Sequence, residues 1–177
     1  MKTNITFICL LNNFSKHIGK LLCEKLDMFF VDVEDMIDFE LGDTNHILSV
    51  LGDKEGKKYM KETESKIVKR IASFENTLVC INPTTLFSNR NFDKLKKTSY
   101  IVYLQISPKY LSKIADESKD IIDEKMLTVA FTEKDKMFVD NSDMIVNCST
   151  FKEKKAVKKV MSTINKFFKK IWYYSWL

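Results

Sequence analysis

At 177 residues the chain fits one domain large enough to bury a substantial core. A hydrophobic content of 45% and a charged content of 30% read as soluble and globular, and no apolar run approaches 18 residues, so no spanning helix is implied. The net charge of +5 is unevenly placed: residues 152–177 hold eight lysines and one glutamate, net +7, which leaves 1–151 at −2, a basic end rather than a basic protein.

The first predicted element is a strand over 5–11, apolar and partly β-branched. With Lys2 before it, this run has the outline of a secretion signal, but no small-residue cleavage site follows and the apolar stretch is short, so a buried strand is the better reading. Phe14, Ile18, Leu21, Leu22 and Leu26 then fall at helical spacing, and 28–32 reads as a second strand. Short helices are expected over 35–41 and 45–51, and a longer one over 57–74 with Met60, Ile67, Ile71 and Phe74 on one face. A third strand at 77–81 ends at Asn82-Pro83. A helix at 89–97 and a strand at 100–104 follow, and Ser107-Pro108 suits a helix start, with Ser as cap and Pro in the first turn. Residues 117–125 are dense in charge, 144–147 form a short fifth strand, and Val157, Val160, Ile164, Phe167 and Ile171 mark a final amphipathic helix.

Strands alternating with helices predict an α/β domain with a parallel sheet, in which ligands bind beyond the carboxyl ends of the strands. The places for a site are therefore 9–17, 31–35, 82–85 and the 117–136 region that could fold over them. Cysteines 9, 23, 80 and 148 have no CxxC spacing and no histidine nearby, and read as buried reduced thiols of a cytoplasmic protein. Only His17 and His46 could supply imidazole, so no metal site is expected. Glycine occurs only four times, where average usage of ~7% would give about twelve, and among 29 basic residues only Arg70 and Arg90 are arginine. Few residues can tighten a backbone around phosphate or grip it with a bidentate fork.

Over residues 4–168 the chain resembles the shikimate kinase family. The family's GxxGxGK[ST] loop falls on Cys9-Leu10-Leu11-Asn12-Asn13-Phe14-Ser15-Lys16, and Gly19-Lys20 lands on a following Gly-Arg. Phe30-Val31-Asp32-Val33-Glu34-Asp35-Met36-Ile37 resembles F-x-D-x-D-x-x-I, and the segment from Gly56 to Glu64 resembles G-E-x-x-F-R-x-x-E. Asn82-Pro83-Thr84 falls on a Gly-Gly-Gly, and Ile101 to Pro108 matches the fourth strand and its helix start. Lys119-Asp120-Ile121-Ile122 falls on the lid's R-P-L-L, and Lys134 to Phe138 on the later R-x-P-L-Y. Order and spacing along the chain carry the resemblance rather than any one motif. It implies a three-layer α/β/α P-loop kinase-like domain with a five-stranded parallel sheet over 1–168, a lid near 117–136, and a basic, aromatic C-terminal tail over 169–177.

The resemblance also assigns roles. Asn12, Ser15, Lys16 and the lid's Lys119 take the nucleotide-binding positions. Asp32 takes that of a carboxylate near Mg²⁺ and the acceptor hydroxyl, which makes it the catalytic candidate. Glu34, Lys61 and Lys134 take the substrate-binding positions. Several residues depart from the pattern. Cys9, Asn12 and Phe14 stand where glycines let successive N–H groups face phosphate, and Phe14 resists positive φ. Ser15 replaces the phosphate-reaching lysine and Lys16 the Mg²⁺-binding hydroxyl, although a one-residue slip would return Lys16 to the phosphates. Glu34 is a methylene longer than the family's aspartate, and Lys61 and Lys134 keep the charge of the substrate-clamping arginines but not their fork. Pro83 has no N–H to offer substrate.

The expectation is a pseudokinase acting as a binding or scaffold module, with no cofactor. The first alternative is a working kinase that uses ATP and Mg²⁺ to phosphorylate the 3-hydroxyl of shikimate or a related small molecule. The second is an interaction protein working through residues 166–177, where both tryptophans lie. A protein partner or a second copy of the chain is the expected contact. Membrane contact is less favoured, and nucleic acid is not expected because the rest of the chain is slightly acidic.

Overall fold

Five strands, all parallel, form one sheet in the order β2-β3-β1-β4-β5. The computed structural model describes residues 2–81, 89–107, 110, 135–148 and 153–174. The strands are β1 (Asn4–Ile8), β2 (Phe29–Asp32), β3 (Thr77–Ile81), β4 (Ser99–Gln105) and β5 (Met144–Asn147). The helices are α1 (Asn12–Leu26), α2 (Val33–Leu41), α3 (Thr44–Ile71), α4 (Asn89–Thr98), α5 (135–141) and α6 (Glu153–Tyr174).

β1 is buried along its whole length, as a central parallel strand covered on both faces must be. It pairs on one side with β3, Ile5 opposite Leu78, and on the other with β4, Ile5 opposite Tyr100. Alternation along the strands sorts the core into two layers. Ile5, Phe7, Leu78, Cys80, Val102 and Leu104 meet Ile18 and Leu22 of α1 and Val160 and Ile164 of α6. Ile8, Val79, Ile81, Ile101 and Tyr103 meet Ile67, Val68 and Ile71 of α3, Leu95 of α4 and Phe138 of α5. The result is the three-layer α/β/α arrangement expected from the sequence.

Side-chain bonds tie the ends of the sheet. Asn4 donates from Nδ2 to the Phe74 carbonyl at 2.6 Å and accepts from the Thr77 N–H at 2.9 Å, which sets the entry of β3 beside β1. Asp143 accepts from the Ile101 N–H at 2.8 Å and pairs with Lys2 at 3.0 Å, which does the same for β5 beside β4. All four cysteines are buried free thiols; desolvation raises Cys9 to about 12 and Cys23 and Cys148 to about 11. Among the described residues, no helix is long and apolar enough to cross a membrane.

Two elements differ from the sequence reading. The first strand stops at Ile8 instead of 11, and helix begins at Asn12. The helices expected at 45–51 and 57–74 are joined as α3, with one non-helical residue, Gly52, at φ 74° and ψ 163°. Glycine reaches that conformation without the Cβ clash other residues suffer. α6 runs to Tyr174, so residues 169–174 continue the helix.

Gly19 lets α1 lie close on the sheet. A Cβ there would stand 2.7 Å from Phe30 Cε2 and 2.9 Å from Cys80 Sγ. Gly19→Val should therefore lower stability by roughly 1–3 kcal/mol, the usual cost of overpacking. In urea the midpoint would fall at unchanged m, and an unchanged or raised midpoint would contradict this packing account.

Candidate functional site

The connection from β1 to α1 is three residues long. Cys9 is fully buried, and Leu10 and Leu11 are half-buried against the core. The helix that follows takes in Asn12, Asn13 and Phe14. Its N-cap, Leu11, offers no side-chain bond to the first turn. The Ser15 N–H is bonded within the helix to the Leu11 carbonyl at 3.1 Å. Ser15 itself is buried, with its carbonyl accepting from Cys80 Sγ of β3 at 3.3 Å. From Asn12 onward the amide groups belong to α1.

Lys16 lies one turn into α1 and reaches across to the carboxyl end of β2. Its Nζ is 2.6 Å from Asp35 Oδ1 and 3.2 Å from Asp32 Oδ1. Asp32 ends β2 and caps α2, accepting from the Asp35 N–H at 2.9 Å. Its side chain is 1% exposed, and Oδ2 has no hydrogen-bond partner among the described residues. Burial pushes the Asp32 carboxyl above its ordinary value, against the pull of the Asp35 N–H and the Lys16 ammonium. Desolvation lowers Lys16, but its bonds to Asp35 and Asp32 together outweigh that, so its pKa is raised. The cluster sits beside an open cleft of about 360 Å³ along the edge strand, where Lys20, Phe39 and Arg70 form further wall.

The other predicted site residues are placed apart or lie outside the described residues. Glu34 is half-buried in the first turn of α2. Lys61 is exposed on α3 with no ion pair among the described residues. Asn12 has its backbone in α1. Lys119, Lys134 and Asn82-Pro83-Thr84 lie outside the described residues, as does the expected lid up to 134. The structure therefore brings together Asp32 and Lys16, and joins to them Asp35, which the sequence reading left unassigned. Nothing local announces the Asp35–Lys16 contact across 19 positions.

A second polar cluster was also missed. Asp135, on α5, accepts from the Tyr103 hydroxyl at 2.9 Å and from Gln105 Nε2 at 2.8 Å, both on β4. Burial, and then Asp135, hold the Tyr103 phenol above its ordinary pKa. Among the described residues no group of three or more His, Cys, Asp or Glu could hold a metal ion.

The family model described as Shikimate kinase matches residues 16–165 of this chain. The chain belongs to the shikimate kinase family. A shikimate kinase of Sulfurihydrogenibium sp. is 23% identical over 163 residues, covering 91% of this chain and 95% of its own. Among solved structures, a shikimate kinase from Acinetobacter baumannii in complex with shikimate superposes with a TM-score of 0.74 at 16% identity, over 94% of both chains. A dephospho-CoA kinase from Campylobacter jejuni superposes at 0.61 and 13% identity, over 94% of this chain and 98% of its own. At these identities the structural likeness speaks for the fold, which is that of the P-loop kinases.

Lys16→Met tests the ion cluster. It would leave a buried carboxylate without its cation and should cost roughly 1–3 kcal/mol at neutral pH, below the value for a fully buried pair because the Lys16 side chain is 21% exposed. The sign with pH follows from Asp32, whose folded pKa lies above the unfolded 3.8. Such a group gives its full stability at pH values below 3.8 and loses it as pH rises through the folded pKa. The deficit of the variant should therefore shrink on acidification. Urea midpoints from pH 7 to 4 measure this, and a pH-independent deficit would count against it.

Proposed function

We propose that this member of the shikimate kinase family does not transfer phosphate, and that its fold serves as a binding or scaffold module. The observation that carries this reading is where Lys16 points. It is the lysine nearest the end of the β1–α1 connection, and its ammonium is engaged by Asp32 and Asp35. Phosphoryl transfer depends on positioned charge around the transferred group. Here the cation and the carboxylate that would act on opposite sides of that group neutralise each other.

A nucleotide with Mg²⁺ fits these residues poorly. The first turn of α1 takes up the residues that would curl, and the Ser15 amide is already bonded to Leu11. Removing one preorganised donor from a transition state can cost ~10²–10³ in rate, and several are altered together. Four buried free thiols suit a reducing, cytoplasmic setting.

The second reading is an ATP-dependent kinase acting on shikimate, as its relatives are named. Asp32 favours it, since it stands at the carboxyl end of β2, where ligands of open α/β sheets bind. That reading requires the Lys16 ammonium to leave Asp32 and Asp35 for phosphate.

Calorimetry with ATP and Mg²⁺, with and without shikimate, separates the two. The expected result is no heat of binding and no rise in melting temperature. Saturable binding, with phosphate transfer abolished by both Lys16→Ala and Asp32→Ala, would establish the kinase reading instead.

A further inference from the structure

On the face of the sheet away from α2 and α3, α1 and α6 lie side by side and enclose a groove of about 530 Å³. Its floor is apolar, made by Val157, which is buried, and Met161, which is half-buried. Its rim is cationic. Lys158, Lys166 and Lys169 line the α6 side and Lys25 the α1 side. Among the described residues, none of these four ammonium groups has a carboxylate or hydrogen-bond partner and no acidic residue lines the groove.

We propose that this groove is a docking site for an acidic amphipathic helix of another protein, with apolar side chains on the floor and carboxylates against the lysine rim. Charge complementarity and shape both point to it. From Lys158 to Lys169 the rim runs about 16 Å along α6, close to three turns of an opposing helix. Such a segment would pair carboxylates with the rim while burying apolar side chains spaced three and four residues apart. The local charge matters because the first 151 residues are net −2, so an acidic partner is drawn to this end of the molecule.

The same geometry disfavours a lipid surface. Peripheral helices insert apolar side chains that project beyond their lysines. Here Val157 and Met161 are more buried than Lys158, Lys166 and Lys169 beside them, which suits a convex occupant better than a flat one. This site is separate from the Lys16 cluster and stands whether or not that cluster transfers phosphate.

The test uses the full chain and a fluorescent synthetic 15-residue helical peptide with a glutamate stripe beside a leucine stripe. The control peptide has the same composition in an order that breaks the stripes. Anisotropy should show saturable binding of the striped peptide, weakening as salt is raised, and at least about tenfold weaker binding of the control. The double variant Lys158→Glu/Lys166→Glu should weaken binding at least about tenfold, as should Ser162→Phe, which fills the groove without changing charge. Lys154→Glu/Lys155→Glu, which removes the same charge from α6 outside the groove, should leave it within about twofold. Unchanged melting temperatures would show that the variants are folded.

Equal binding of both peptides, equal loss in the two charge-reversed pairs, or no binding would each overturn the proposal. So would lysine-dependent capture by phosphatidylserine vesicles in place of the striped peptide.

Discussion

The ammonium of Lys16 joins three elements through polar side chains. It stands on α1, contacts the carboxylate that ends β2, and reaches the first turn of α2. The same Asp32 also caps α2. An uncompensated carboxylate at this depth would be expensive, and the lysine is what makes its charge tolerable. Helix entry, strand exit and electrostatic balance are therefore one arrangement.

That arrangement depends on where α1 begins. A helix that starts at Asn12 carries Lys16 on the turn facing β2, with Ser15 turned inward against Cys80. The residues between strand and helix, Cys9 to Leu11, are apolar and pack inward. Hydrophobic burial thus favours a short, closed connection over an open loop of exposed amides. Only a run of flexible residues would resist this closure, and the chain has none there. Gly19 remains, but its role is steric, since the sheet leaves no room for a Cβ at that point.

Much of the fold could be read from the chain because its signals are local. The five strands are short apolar runs, and the helices between them have amphipathic spacing, so type and order followed directly. Boundaries were less legible. Leu10 and Leu11 look like strand residues because they are apolar, and only the tertiary structure assigns them to a connection. The site was half legible. Asp32 and Lys16 could be named from their positions, yet their pairing could not, because it depends on the crossing of α1 over the edge of the sheet. Tyr103, Gln105 and Asp135 were passed over for a similar reason. Two of them alternate on a strand that reads as core, and the third lies some thirty positions away.

The position of β1 at the middle of the sheet has a consequence for how the molecule is made. It is synthesised before its neighbours β3 and β4, whose matching residues begin near 78 and 100. No hairpin can shelter it in the meantime, since parallel neighbours require a crossover. This strand, buried along its whole length in the folded domain, thus waits for partners synthesised much later. Assembly is governed by contacts distant in sequence, which places this domain among the slower folders and makes the unpaired β1 a natural client for chaperones.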